Sequence, residues 1–348
     1  MTEQQVHNIA LSPDGSAVRI IDQTLLPGQL QYIDLRTREE LFEAIYALRV
    51  RGAPAIGIFA AYGVYVLART YGEDGFLARL DADCHYLVSS RPTAVNLARQ
   101  VERMRMRAHA LADKPVSEIV VALYNEAVAI HQEDIAMCRA IAQAGLSLLR
   151  EGDTVLTHCN AGPLATSEYG TGLGPLLLAA ERGMDIRAYV DETRPLLQGA
   201  RLTAWELQKA GIDCTLICDN MAALAMKQGR IQAVLAGCDR MARNGDAANK
   251  IGTSGAAIIA KHYGVPVYIL LPSSTIDMTC ATGADIPIEY RDGAEIAALW
   301  YEKPMAPAGV KCWNPAFDVT DHELISAIVT EKGVIYPPFD IHLRQLFG

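Results

Sequence analysis

Ile231-Gln232-Ala233-Val234-Leu235-Ala236-Gly237-Cys238-Asp239-Arg240 is the stretch on which the fold turns. A short apolar run bounded by turn residues reads as a buried strand. Asp239 therefore stands where such a strand ends. The next motif, Asn244-Gly245-Asp246-Ala247-Ala248-Asn249-Lys250-Ile251-Gly252-Thr253, is rich in Asn, Gly and Asp, and the expectation is a loop. Gly255-Ala256-Ala257-Ile258-Ile259-Ala260 then opens a helix. In open α/β sheets, ligands bind in the crevice beyond the carboxyl ends of the strands. A carboxylate at that place, followed by Asn249 and Lys250, points to an acid/base group beside an anion site.

The same texture extends outward from this stretch. Short apolar runs at 155–159, 186–190, 214–219, 233–238 and 265–271 alternate with segments long enough for crossover helices. That alternation predicts a parallel, doubly wound α/β sheet. The runs end in polar residues, Asp191-Glu192-Thr193-Arg194, Asp219-Asn220, Asp239-Arg240 and Pro272-Ser273-Ser274-Thr275, which should line one crevice. Before residue 150 the pattern is mainly helical. Two strands are expected at 17–22 and 31–35, flanking a turn at Pro27-Gly28. Thr37-Arg38-Glu39-Glu40 is a capping box that starts a helix over 41–50. A long connecting helix is expected over about 117–150, starting beyond Pro115. The division is placed within it: a small N-terminal domain over 1–130 and a parallel-sheet domain over 131–348.

Composition narrows the function. A chain of 348 residues, 51% hydrophobic and 20% charged, has room for two domains and a sizeable core. Its formal net charge of −9 argues against a nucleic-acid or anionic-membrane surface. It leaves room for a small anionic ligand held by local Arg and Lys. Met1-Thr2-Glu3-Gln4-Gln5 shows no charged-then-apolar leader pattern, and no apolar stretch has the length of a membrane span. Cys84, Cys138, Cys159, Cys214, Cys218, Cys238, Cys280 and Cys312 form no CxxC pair, so neither a structural zinc site nor a disulfide framework is expected. Free thiols fit a reducing cytoplasm.

Several positions carry potential chemistry. Thr154-Val155-Leu156-Thr157-His158 breaks into Cys159-Asn160-Ala161-Gly162, which puts Cys159 at a strand tip. Such a Cys is either an inert buried thiol or, near a helix start, an acid/base or nucleophilic group. His158 and Cys159 are neighbours in a strand and face opposite sides, which disfavours a dyad between them. Arg51-Gly52-Ala53-Pro54-Ala55-Ile56-Gly57 puts a Gly and an Arg at a helix start, where backbone N–H groups can hold phosphate. An ordinary helix turn is the bland alternative. Arg91, before Pro92, is a weaker anion candidate. Gln198 can bind hydroxyls, whereas Asp191 and Arg194 can simply pair with each other. Gly170-Thr171-Gly172-Leu173-Gly174-Pro175 has Pro where a dinucleotide fingerprint needs its last glycine. His131 with Glu133 and Asp134 matches no metal motif.

Taken together and in order, five segments resemble the methylthioribose-1-phosphate isomerases, the aldose–ketose isomerases of methionine salvage. They are 51–57, Thr157-His158-Cys159-Asn160-Ala161-Gly162, 191–207, Gly237-Cys238-Asp239-Arg240, and 244–255. The segments span nearly the whole chain. The same superfamily holds 5-deoxyribose-1-phosphate isomerase, ribose-1,5-bisphosphate isomerase and the regulatory subunits of translation initiation factor 2B. The resemblance implies a small, mainly helical N-terminal domain with a few strands beside a Rossmann-like C-terminal domain, a homodimer, and no cofactor or metal. It also implies roles. Asp239 is the general acid/base and Cys159 its partner. Arg51, Gly52, Ala53 and Arg91 contact the substrate phosphate, Gln198 contacts the substrate, and Asn249 with Lys250 form a further contact pair. Methylthio and deoxy ends want an apolar pocket, while a second phosphate wants more Arg or Lys. No further basic cluster stands near the motifs, so the bisphosphate ranks third. A non-catalytic subunit of the same fold is the rival from another class, and the presence of both Cys159 and Asp239 favours an enzyme.

Overall fold

The computed structural model describes residues 7–92 and 94–348; the leader reading on Met1–Gln5 falls outside them. The chain divides into two units. One comprises Met1–Cys138 with Gly162–Gly170, the other Arg139–Ala161 with Thr171–Gly348.

In the first unit, β1 (Ile9–Leu11), β2 (Val18–Ile21) and β3 (Tyr32–Leu35) form an antiparallel sheet. The second and third were expected; the first, three residues long, was not. Helix α1 (Arg38–Tyr46) starts on the expected box, with Thr37 Oγ1 accepting from the Glu40 amide and the Glu40 carboxylate accepting from the Thr37 amide. Such a cap contributes about 1 kcal/mol. The helix stops short of residue 50. Leu48 takes a left-handed φ of 61°, and the Val50 amide turns back to the Ala44 carbonyl. Helix α2 (Ala53–Ala68) is buried nearly all round and forms the centre of this core, with α3 (Phe76–Ser89) and α4 (Val95–His109) among its neighbours. Helix α5 (Val116–Leu146) is the expected connecting helix.

The second unit is built on β4 (Thr154–His158), α6 (Gly174–Glu181), β5 (Arg187–Asp191), α7 (Ala204–Lys209), β6 (Cys214–Ile217), α8 (Ala222–Lys227) and β7 (Ala233–Ala236). It continues through β8 (Arg240–Ala242), β9 (Ala247–Lys250), α9 (Thr253–Tyr263), β10 (Val267–Leu270), β11 (Ile276–Asp277), α10 (Ala294–Ala297), β12 (Phe317–Thr320), β13 (Ala327–Thr330), β14 (Gly333–Ile335) and α11 (Phe339–Phe347). The main sheet runs β14-β13-β10-β7-β4-β5-β6, parallel throughout except for β14. All five expected strands are in it. The order departs from β4 in both directions, to β5 and β6 on one side and to β7, β10 and β13 on the other. The sheet therefore has its switch point between β4 and β7, where doubly wound sheets open a ligand crevice.

One expectation is corrected. The residues after Asp239 are not a loop. They fold into the β8–β9 hairpin, which joins β11 and β12 in a small second sheet. Gly245, at φ 95°, turns the chain within residues 243–246. The Ala247-Ala248 pair is small enough to be buried on both faces of β9. Gly174 belongs to the start of α6, where a Cβ would fall 2.9 Å from that of Ala142; this glycine serves helix packing. Among the described residues, no helix is long and apolar enough to cross a membrane, and none of the eight cysteines is in a disulfide.

Candidate active site

β4 and β7 are in register as His158 against Ala236. Cys159 is the first residue beyond that pair on one strand, and Gly237-Cys238-Asp239 leave the other. The two groups singled out from the sequence thus emerge from adjacent strand ends at the switch point. Glycine makes room between them. A Cβ at Gly237 would lie 2.8 Å from the Ala161 side chain, and one at Gly172 would lie 3.2 Å from the Gly237 nitrogen.

Cys159 is buried and has a left-handed φ of 66°. For a residue with a Cβ this conformation costs about 1–3 kcal/mol and has to be enforced by the surroundings. Its amide donates to Thr193 Oγ1 at 2.8 Å, and its carbonyl accepts from Thr203 Oγ1 at 2.6 Å. Thr193, also left-handed at φ 63°, has its own amide held by Asp219 Oδ1 at 2.7 Å. Thr203 lies on a single π-turn, Gly199–Thr203, that leads into α7. The next side chain, Asn160, donates to Thr203 Oγ1 at 3.1 Å and to Glu206 Oε2 at 2.5 Å. Neither threonine stands out in the sequence: Thr193 is one residue of a polar strand end, and Thr203 one of a helical run.

His158 is buried beneath this tip. Its Nδ1 meets Asp191 Oδ2 at 2.9 Å, and its Nε2 meets the Ile251 carbonyl at 2.8 Å. The Ile251 carbonyl can only accept, so Nε2 carries a proton, and Nδ1 and the Asp191 carboxyl share a second, burial raising the pKa of Asp191 as well. Burial opposes a charge on the ring. The Asp191 carboxylate and the Ile251 carbonyl outweigh it and hold the His158 pKa above its usual value. Asp191 pairs with His158, not with Arg194, whose guanidinium reaches the Ile296 carbonyl at 2.8 Å. His158, Asp191 and Asp219 cluster closely enough to suggest a metal site. Most of their donor atoms are committed elsewhere: the imidazole nitrogens are spent as above, and Asp219 receives the Thr193 and Arg194 amides, while Asp191 Oδ1 is buried without a partner. With both imidazole nitrogens engaged, His158 has no lone pair directed at the cluster, which acts as a hydrogen-bonded brace.

Asp239 is exposed, and its amide donates to the Ala248 carbonyl at 2.9 Å across the hairpin base. Part of Cys238 also meets solvent, but its thiol turns to the Ala248 carbonyl at 3.5 Å, and burial pushes its pKa well above the ordinary thiol value. Asn249 and Lys250 are buried on β9. Asn249 Nδ2 donates to Thr253 Oγ1 at 2.9 Å, and Lys250 Nζ donates to the Ala316 carbonyl at 2.9 Å, 4.3 Å from the Phe317 ring centre. Gln198, just before the π-turn, is 5% exposed, and its Oε1 is buried with no hydrogen-bond partner. A buried amide oxygen left unpaired costs about 1–3 kcal/mol, which is the mark of a group kept for a ligand.

In the first unit, Gly52 precedes α2 at φ 96°, and a Cβ there would sit 2.3 Å from the Ala165 carbonyl oxygen. Ala53 and Pro54 open the helix, and no side chain caps it. A helix start of this kind carries positive potential suited to an anion. Arg51 immediately precedes it. Arg91 follows the end of α3; both Arg residues are half-buried.

The model of the initiation factor 2 subunit family matches residues 49–337. The chain belongs to this family. Within it, the chain is 54% identical over 347 residues to a methylthioribose-1-phosphate isomerase of Symbiobacterium thermophilum, covering 99% of this chain and 97% of the relative. It is 52% identical over 334 residues to a 5-deoxyribose 1-phosphate isomerase of Clostridium botulinum, covering 94% and 95%. Two solved structures share the fold. The 5-methylthioribose 1-phosphate isomerase of Pyrococcus horikoshii superposes with a TM-score of 0.93 at 38% identity, covering 99% of this chain and 97% of that one. A structure described as translation initiation factor eIF-2B, subunit delta, from A. fulgidus superposes with a TM-score of 0.90 at 41% identity, covering 97% of each. The family thus spans isomerases and initiation-factor subunits on one fold.

Proposed function

We propose that this chain is an aldose–ketose isomerase that converts 5-methylthioribose 1-phosphate to 5-methylthioribulose 1-phosphate. The observation that carries the reading is the emergence of Cys159 and Asp239 from the two strands at the switch point, on a chain so close to the Symbiobacterium enzyme. The phosphate on C1 prevents the sugar ring from opening freely to an aldehyde. Asp239 protonates the ring oxygen as the ring opens. Hydrogen then leaves C2 and arrives at C1 of the same molecule, so no electrons are gained or lost overall and no external hydride carrier is required. Cys159 moves the C2 proton through an enediol, or manages oxygen-bound protons during a direct hydride shift.

In this reading Arg51, Gly52, Ala53 and Arg91 contact the phosphate, and Asp239 with Cys159 form the acid/base pair. Gln198, Asn249 and Lys250 hold the sugar, and the unpaired Gln198 oxygen supports its part in this. The protein works as a cytoplasmic homodimer. The alternative substrate is 5-deoxyribose 1-phosphate, favoured by the similarity to the Clostridium enzyme. A thioether discriminated by an apolar pocket is worth only about 1–3 kcal/mol, so one pocket can serve both.

The test is kcat/KM for 5-methylthioribose 1-phosphate, 5-deoxyribose 1-phosphate and ribose 1,5-bisphosphate with purified protein. The methylthio sugar is expected to rank first and the bisphosphate last. Absence of turnover with all three would leave the non-catalytic subunit as the reading. Sizing in solution checks the dimer.

A further inference from the structure

Cys159 is set in a conformation its own backbone disfavours, and two threonine hydroxyls hold it there. We propose that Thr193 and Thr203 are positioning residues that fix the Cys159 thiol by clamping its peptide groups on both sides. The inference rests on the reading of Cys159 as a participant in catalysis and deepens it.

The geometry is two-sided. Thr193 Oγ1 takes the Cys159 amide proton and passes its own proton to the Asp191 carbonyl at 3.1 Å. Thr203 Oγ1 gives its proton to the Cys159 carbonyl and takes one from Asn160. Each hydroxyl is thus both donor and acceptor, which fixes its rotor. Neither threonine is exposed to solvent. Each is built into irregular backbone. Thr193 is left-handed and anchored by Asp219, and Thr203 sits on the π-turn. Gly199 permits this arrangement, since a Cβ there would fall 1.8 Å from the Asp191 carbonyl oxygen and 2.9 Å from Thr193 Oγ1. The two ends of the single β5–α7 connection therefore converge on one residue. If Cys159 were an inert core thiol, an ordinary φ would serve as well and no clamp would be required. A reacting group displaced by about 1 Å can lose about 10²-fold in rate, so the clamp has a use only where the thiol must be placed.

The experiment compares Thr193→Val and Thr203→Val with Thr193→Ser and Thr203→Ser. Valine keeps the branched shape and removes the hydroxyl; serine keeps the hydroxyl. The measurements are kcat, KM, the midpoint of thermal unfolding, and a crystal structure of each valine variant. Expected is a fall in kcat of about 10²-fold for Thr193→Val, with KM little changed and serine restoring most of the rate. The crystal structure should show Cys159 leaving its left-handed φ. A Thr193→Val protein that keeps wild-type kcat and the left-handed φ overturns the proposal. So does an equal loss in the serine variants, which would make the role one of packing. If Thr193→Val fails to fold, Thr203→Val and the two serine variants carry the comparison. If the wild type turns over none of the sugar phosphates, the functional reading fails by itself, and the φ of Cys159 in the valine variants still decides whether the threonines position it.

Discussion

Cys159 and Cys238 leave adjacent parallel strands, yet they are held in opposite ways. At Cys159 the backbone is strained and gripped through both peptide groups by side chains from distant parts of the chain. At Cys238 the thiol itself is satisfied, by the Ala248 carbonyl, and burial makes it hard to ionise. At Cys159 these hydrogen bonds fix the peptide groups and so the direction of the side chain. Cys238, bonded through its thiol, is a small core residue. The same distinction reaches the first unit, where the Cys138 thiol donates to Asp134 Oδ2 at 3.6 Å and burial raises its pKa far above normal.

Four measurements break or sharpen this contrast. The largest effect is expected for Asp239→Asn, which keeps the shape and removes the acid/base; kcat should fall about 10²–10⁴-fold. Its neighbour Cys238→Ala should leave kcat near wild type. A near-normal rate for Asp239→Asn, or a collapse for Cys238→Ala with the fold intact, would break the contrast at β7.

Cys159→Ser should lower kcat about 10–10³-fold with a smaller change in KM, because serine is a far weaker acid at neutral pH. If only KM moves, Cys159 is a wall of the pocket and the difference from Cys238 is one of exposure alone.

Gln198→Met tests a third polar group of the same region. It deletes a buried oxygen that has no partner in the free protein. The unliganded protein should melt higher, by the equivalent of about 1–3 kcal/mol, while KM rises. A lower melting point with unchanged KM would make Gln198 a structural residue.

The smallest effect on turnover is expected for Asp134→Asn. Asp134 is buried, accepts from the Ser167 hydroxyl and the Cys138 thiol, and has its pKa pushed up by burial to about 6 from 3.8. The folded protein thus holds a proton that the unfolded chain releases. Stability from this group is fully present below about pH 4 and is lost as pH rises to about 6, by about 3 kcal/mol in all. The asparagine variant should lack this slope in urea unfolding at pH 4 to 7, with kcat unchanged. Parallel slopes in the two proteins would show that folding does not shift the Asp134 pKa.

Most of the sheet was legible in the sequence, because a strand buried on both faces reads as an apolar run whatever its neighbours do. β13 and β14 were not among the expected strands, although Ala327–Thr330 is just such a run; it is four residues long and ends without a polar cluster that marks a crevice. The β8–β9 hairpin was misread for a physical reason. Its strands are short, and Asn, Asp and Gly in its turn dominate the local composition. Asp239 and Cys159 were legible as strand ends. The threonines that hold Cys159 were not, since a side chain that bonds a distant peptide group leaves no pattern in the chain. The His158 brace was hidden for the same reason: its partners, Asp191 and Ile251, are set by the parallel pairing of strands and the approach of a hairpin.

That brace has a practical consequence for solution chemistry. With one imidazole nitrogen on a carboxylate, the other on a carbonyl and the ring out of solvent, His158 offers no lone pair to an electrophile. Reagents that acylate histidine will leave it untouched, and inactivation by them will report on some other residue.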